Sequence, residues 1–232
     1  MLIAPIADRI RDVRRYRLGE IPARGKDISS MKPMGISSTK LADTPTEYHV
    51  TVLPNSPFLV VPEVSSERRH YAPIGWLEPP TIPSNLVRIM EGASLSLFGI
   101  LTSQMHMSWL RQIGGRLESR YRYSIGLVYN TFPLPKASDV QLQKLEPLAQ
   151  AILDAREAHQ GSTLADLYDP DFMPSNLRKA HNALDKAVDK LYRKSGFASD
   201  SERVEHLLGM YEQIVIPLTA PTKKKRARRV AK

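Results

Sequence analysis

The sequence contains no cysteine, which excludes a disulfide framework and any thiolate metal site and fits a reducing compartment. Its six histidines (His49, His70, His106, His159, His181 and His206) are scattered without a His-x-x-x-His pair, so their spacing offers nothing to zinc. Long apolar runs are missing too: no stretch approaches the ~18 apolar residues of a membrane span. The first residues reach Asp8 and Arg9 before any apolar run develops, so they do not read as a signal peptide. The expectation is a soluble, cytoplasmic protein. Finally, no Gly-rich loop follows a strand-like segment, which leaves neither a nucleotide nor S-adenosylmethionine an evident cradle.

What is present is a globular composition, 42% hydrophobic over 232 residues, enough for one large domain or two small ones. The net charge of +9 is unevenly divided. Residues 1–138 carry 17 Lys and Arg against 11 Asp and Glu, and residues 139–220 carry 9 against 13. Residues 221–232 hold seven bases and no acid. A basic first part, an acidic second part and a basic tail imply different partners for each segment, with a polyanion the natural candidate for the first and last.

Pro5 suits the first turn of a helix, and Ile6, Ile10 and Val13 repeat at helical spacing among five arginines up to Arg17. Gly19–Pro45 is rich in Gly, Ser, Lys and Pro without periodicity and reads as a long loop. Strand-like stretches follow at 47–53, 58–62, 71–77 and 86–90. Leu95, Phe98, Leu101, Met105, Trp109 and Ile113 then predict one buried helix across 94–113, a stripe read as core packing. Gly114-Gly115 ends it, and the stretch 125–132 closes the region before Pro133 and Pro135. This part, 1–136, is expected to be an α+β domain with a mixed sheet and a buried helix.

From Ser138 the pattern is purely helical, and residues 137–220 are expected to form a small all-α bundle followed by a basic disordered tail at 221–232. Ser138 with Gln141, and Ser199 with Glu202, match capping boxes. Pro147 predicts a break or kink, with the main helix running on to His159. Leu177, Ala180, Leu184, Val188 and Leu191 make one apolar stripe; Val204, Leu207, Leu208, Tyr211 and Ile214 make another.

Catalytic features fail one after another. Glu78-Pro79-Pro80-Thr81 resembles the Asp/Asn-Pro-Pro-Tyr/Phe loop of amino-methyltransferases, but its ends are wrong and a turn explains it better. Asp166, Asp169 and Asp171 lack the Gly and spacing of a calcium loop and suit turns and helix ends. Ser65, Ser66 and His70 have no third orienting group. No catalytic residue and no metal ligand is assigned.

The segment with chemistry is Glu118-Ser-Arg-Tyr-Arg-Tyr-Ser124. In a strand, Glu118, Arg120, Arg122 and Ser124 point one way while Ser119, Tyr121 and Tyr123 point the other. The tyrosines can rest on a core. The opposite face presents a carboxylate and two guanidinium forks, groups that read cytosine and guanine edges in a DNA major groove. A merely charged, solvent-facing strand fits the same seven residues.

Longer strings carry a resemblance. They are Val61-Pro-Glu-Val-Ser-Ser-Glu-Arg-Arg-His-Tyr-Ala-Pro-Ile-Gly-Trp-Leu77, Phe98-Gly-Ile-Leu-Thr-Ser-Gln-Met-His-Met107, Gly115-Arg-Leu-Glu-Ser-Arg-Tyr-Arg-Tyr-Ser124, Val128-Tyr-Asn-Thr-Phe-Pro133 and Ser162-Thr-Leu-Ala-Asp-Leu-Tyr-Asp-Pro170. Together they resemble the C-terminal part of the MmeI-like (YeeA-like) adenine-specific DNA methyltransferases, many of them fused restriction–modification enzymes. The resemblance runs from about Pro5 to Ile216. It implies a target-recognition domain followed by a helical region, with double-stranded DNA as partner. In the family an S-adenosylmethionine-binding methyltransferase domain precedes this part, so the cofactor and N6-adenine methylation are expected of that domain and not of this chain.

The resemblance also implies base-reading positions at Glu63, Asn85, Glu118, Arg120 and Arg122, residue types that suit direct readout. Arg68, Arg69 and Arg116, with Lys223, Lys224, Lys225 and Arg226 of the tail, are expected at phosphates. For Arg68 and Arg69 a surface ion pair with Glu67 or Glu63 is an equal alternative. A second reading of the whole chain is an assembly subunit or remnant whose helical part docks a separate methyltransferase polypeptide.

Overall fold

The computed structural model describes residues 4–31, 33–47 and 54–219, the last three by backbone alone. All but Glu47 of the expected strand at 47–53, and the basic tail, therefore lie outside the described residues. The chain forms two compact units, 1–53 and 54–232.

In the first unit, α1 (Ala4–Arg17) carries the predicted apolar spacing yet buries none of its residues. Its last residue does the organising: the Arg17 guanidinium donates to the carbonyls of Leu41 (2.7 Å), Thr44 (2.8 Å) and Glu47 (2.7 Å). That clamp folds the expected loop back onto the helix. The loop also contains a short helix, α2 (Ile36–Lys40), and a 3-10 turn at Ile28–Ser30. Part of the positive charge of α1 is spent locally, through Arg14 on Asp43 and Arg15 on Glu20.

The second unit is built on two small antiparallel sheets. β1 (Phe58–Pro62) lies between β3 (Gly75–Leu77) and β4 (Val87–Glu91), with Val60 opposite both Gly75 and Ile89. The second sheet has β6 (Arg120–Arg122) between β2 (Val64–Ser65) and β5 (Gly115–Leu117). Glu63, the single residue between β1 and β2, belongs to both sheets. Its N–H donates to Leu86 (3.0 Å) and its carbonyl accepts from the N–H of Tyr123 (2.7 Å).

The buried helix predicted for 94–113 is two helices, α3 (Leu95–Leu101) and α4 (Gln104–Ile113). Side-chain hydroxyls make the break: Thr102 Oγ1 donates to the Phe98 carbonyl (2.8 Å) and Ser103 Oγ to that of Ile100 (2.7 Å), the local competition that ends helices. Both halves are nevertheless core, with Phe98, Leu101, Met105 and Trp109 almost completely buried. After β6, Ile125–Tyr129 forms a single π-turn capped by Ser124.

The helical region comprises α5 (Asp139–Gln143), α6 (Glu146–Glu157), α7 (Leu164–Leu167), α8 (Ser175–Tyr192) and α9 (Asp200–Thr219). Ser138 and Gln141 form the full capping box, and Pro147 opens α6 after the break it predicts. At Ser199 half of the expected box is present: Ser199 Oγ accepts from Glu202 N–H, but the Glu202 carboxylate accepts from Ala198. One continuous core joins these helices to α3 and α4. The approach is tight at Gly99, where an added Cβ would lie 3.2 Å from Leu184 and 3.3 Å from Ala149. A small residue there lets α3 sit against α6 and α8.

Candidate nucleic-acid interface

The Arg/Tyr segment sorts as alternation requires, with one correction. Tyr121 and Tyr123 are 8% and 4% exposed, whereas Arg120 and Arg122 lie on the surface. Glu118, however, is not in a strand. Leu117 pairs with Arg120, so Glu118 and Ser119 form a two-residue hairpin turn. Such turns need a left-handed residue, and Glu118 takes that conformation at φ 57°. Its carboxylate still reaches the face it was expected to share, accepting from Arg120 at 2.8 Å.

The buried side of this hairpin is held by hydrogen bonds as well as by apolar contact. His106 Nδ1–H donates to the Leu101 carbonyl (2.8 Å), which leaves Nε2 to accept from the Tyr123 hydroxyl (3.2 Å). Burial lowers the His106 imidazole to about 4, so the ring is the neutral tautomer these two bonds demand. The same loss of solvent raises the Tyr123 phenol above its ordinary value. On the same side Arg116, the cross-strand partner of Tyr121, lies over that ring at 4.4 Å and donates to the carbonyls of Arg111 (2.9 Å), Gly114 (3.0 Å) and Gly115 (3.3 Å). Expected at a phosphate, Arg116 is engaged in closing the C-terminal end of α4.

Glu63 stands beside this hairpin. Its carboxylate is paired with Arg88 of β4, and both border an open cleft of about 480 Å³ that Arg122, Gly115 and the π-turn also line. Arg88 lies opposite Val61, so it is the diagonal cross-strand neighbour of Glu63, within reach of a long side chain. Sequence reading missed Arg88, because only the register of β1 on β4 brings the two together. Asn85 is exposed in the turn that precedes β4. Arg122 has no ion-pair partner among the described residues.

The loop between β2 and β3 carries Arg68 and Arg69. Arg68 pairs with Asp171 at 2.5 Å, not with Glu67 or Glu63, and that hydrogen bond and charge raise its pKa. Arg69 makes one long contact to Ser65 Oγ (3.5 Å). Helices pin the loop's far end. Gln104 and Arg111 donate to the His70 carbonyl, and Arg156 donates to that of Ile74 at 2.8 Å. Asp185 accepts from the Tyr71 hydroxyl (2.7 Å) and the Gln104 N–H (2.8 Å); burial pushes its pKa up to about 6.

The rejected catalytic motifs have structural roles. Thr81 N–H donates to the Glu78 carbonyl, closing the Pro-Pro turn. Asp166 completes a capping box with Thr163, and Asp169 accepts from the N–H of Asp171. The strand–turn–helix passage from β4 to α3 (Gly92, Ala93 and Ser94) has a single glycine, and the helix start is already capped by Ser94 Oγ accepting from Leu97 N–H. These residues do not fit a methyl-donor cofactor. Among the described residues, no helix is long and apolar enough to cross a membrane.

Two small sheets backed by helices, with an ionic face on one side, define a module that presents side chains from a rigid support. The chain matches the MmeI target recognition domain over residues 1–136 and the MmeI C-terminal domain over 137–219. It belongs to that family. It is 46% identical over 177 residues to DNA methyltransferase A of Bacillus subtilis (strain 168), covering 76% of this chain and 20% of the relative. Among solved structures it is similar to the Type IIL restriction–modification enzyme MmeI in complex with DNA, with TM-score 0.78 and 39% identity over 90% of this chain. The chain spans about a fifth of the curated relative and 26% of the solved one.

Proposed function

We propose that this chain recognises a specific sequence in double-stranded DNA. It acts as the target-recognition part of an S-adenosylmethionine-dependent N6-adenine methyltransferase of a restriction–modification system. The methyl transfer belongs to a methyltransferase domain, in the same or a separate polypeptide, and the chain is non-catalytic by itself. Support comes from the family match, and from the solved relative's being a complex with DNA.

One observation carries the reading: Arg120 and Arg122 project from a strand whose alternate residues, Tyr121 and Tyr123, are locked into the core. Directional contacts to base edges require side chains held on a fixed backbone, and this strand is fixed by pairing, packing and the His106 bond. Arg forks suit guanine O6 and N7, while Glu63, Glu118 and Asn85 supply the acceptors and amide that suit cytosine and adenine. In the free protein Glu118 and Arg120 neutralise each other at the surface, so DNA exchanges their mutual bond for bonds to a base pair. Arg68 and Arg69 flank the face as phosphate contacts, Arg68 by exchanging Asp171 for a phosphate oxygen. The tail bases Lys223, Lys224, Lys225 and Arg226 add attraction without sequence preference.

The test is a binding selection on randomised duplexes with the 232-residue chain and its Arg120→Ala and Arg122→Ala variants. Each substitution is expected to relax preference at a single position, by roughly 1–3 kcal/mol of discrimination. A chain that enriches no sequence, or variants that lose affinity for every duplex alike, would refute base reading by this face.

A further inference from the structure

The cleft beside the hairpin holds one carboxylate and two guanidinium groups, those of Glu63, Arg88 and Arg122. The carboxylate has chosen: it pairs with Arg88, although Arg122 lines the same space. Strand geometry explains the choice. Arg88 is the diagonal neighbour of Glu63 on the paired strand β4, whereas Arg122 sits on β6 in the other sheet, opposite Val64 and Gly115. The Glu63 backbone is immobilised on both sides, by Leu86 and by Tyr123, so only its side-chain torsions are free. Its side chain is 19% exposed against 45% for Arg88, so the carboxylate is the more deeply set of the two.

We propose that Arg88 is a positioning residue for sequence readout. It fixes the rotamer of Glu63 and, by occupying that carboxylate, keeps the Arg122 fork available for DNA. This role rests on the reading of Glu63 and Arg122 as base-contacting groups. Without Arg88 the remaining cation that lines the cleft with the Glu63 carboxylate is Arg122, and an ion pair between them would withdraw both from the base edges together. Arg88 itself needs no contact with DNA for this effect.

The experiment is a double-mutant cycle read as base preference. Wild type, Arg88→Met, Glu63→Gln and the double variant are each put through selection on randomised duplexes, alongside thermal melts. Glu63→Gln is expected to reduce discrimination at its base pair by roughly five- to a hundred-fold. Arg88→Met should reduce discrimination at that same pair, and at the one read by Arg122. In the Glu63→Gln background, where the carboxylate that could trap Arg122 is gone, Arg88→Met should change little. Arg88→Lys, which keeps the charge but not the fork, should restore part of the preference. That variant decides the matter if Arg88→Met lowers the melting temperature.

A uniform loss of affinity on Arg88→Met in both backgrounds would make Arg88 a phosphate contact and overturn the positioning role. The role also falls if Glu63→Gln alters preference while neither Arg88 variant does. If Glu63→Gln changes no preference at all, the base-reading assignment of Glu63 has failed first, and the role of Arg88 with it.

Discussion

The two faces of β6 should separate stability from specificity, and the sizes of the two effects can be set from the structure. Tyr121 is 8% exposed and its ring lies beneath the Arg116 guanidinium, so Tyr121→Ala removes a packed aromatic from the edge of the core. Truncating a buried Phe or Trp to Ala costs about 3–5 kcal/mol, and a position near a sheet margin belongs at the low end, about 3 kcal/mol. For a unit of this size each kcal/mol is worth about 2–4 °C, so the melting temperature should fall by about 6–12 °C. Arg120→Ala removes only an ion pair whose members are 46% and 78% exposed. Such pairs contribute at most about 1 kcal/mol, so that variant should melt within about 4 °C of wild type. Paired thermal melts, with far-UV circular dichroism to confirm folding, measure both. The reasoning is refuted if the two variants melt alike, since the strand would then have no core side and no free side.

Two further outcomes are expected, one from the structure and one from the charge of the sequence. Asp185 has its pKa raised to about 6, chiefly by burial, so its favourable contribution is complete below the unfolded value near 4 and is lost as pH rises through 6. Asp185→Asn, held neutral with the same shape, should therefore gain on wild type between pH 4 and pH 7, by up to roughly 3 kcal/mol at 1.36 kcal/mol per unit; denaturant midpoints that differ equally at both pH values would count against it. Removing residues 221–232, with seven bases, should weaken binding to all duplexes alike and flatten the log–log salt slope by up to about six units, at roughly 0.9 per neutralised phosphate. A loss confined to one DNA sequence would contradict a sequence-independent role for the tail.

Local rules made much of the fold legible. The alternation of Tyr121 and Tyr123 with Arg120 and Arg122 needs only the period of a strand, and the faces lie as that period dictates. Pro147, Ser138 and Gln141 act within a few residues of themselves, and the helix boundary they mark is observed. The failures have a common cause in competition that periodicity does not record. The 94–113 stripe is helical throughout in its apolar spacing, yet the hydroxyls of Thr102 and Ser103 capture the carbonyls of Phe98 and Ile100 and divide it. Glu118 has the alternation of a strand residue, but the pairing of Leu117 with Arg120 makes it a turn.

The ionic face was less legible than the strand that carries it, because charge composition says nothing of which charges meet. Arg68 and Asp171 are more than a hundred positions apart, and Glu63 and Arg88 meet only through the register of β1 on β4. Arg116 has the composition of a phosphate contact and the geometry of a helix cap. In each case the residue types are present in the sequence, while their division between structure and recognition is decided by which backbone carbonyls and carboxylates the fold brings within reach. A guanidinium already donating to three carbonyls has fewer donors left for DNA, and one held only by an exposed carboxylate can exchange it for a base or a phosphate. On that criterion Arg120 and Arg122 keep donors free for the base contacts proposed for them, whereas Arg116 has fewer left for the phosphate contact expected of it.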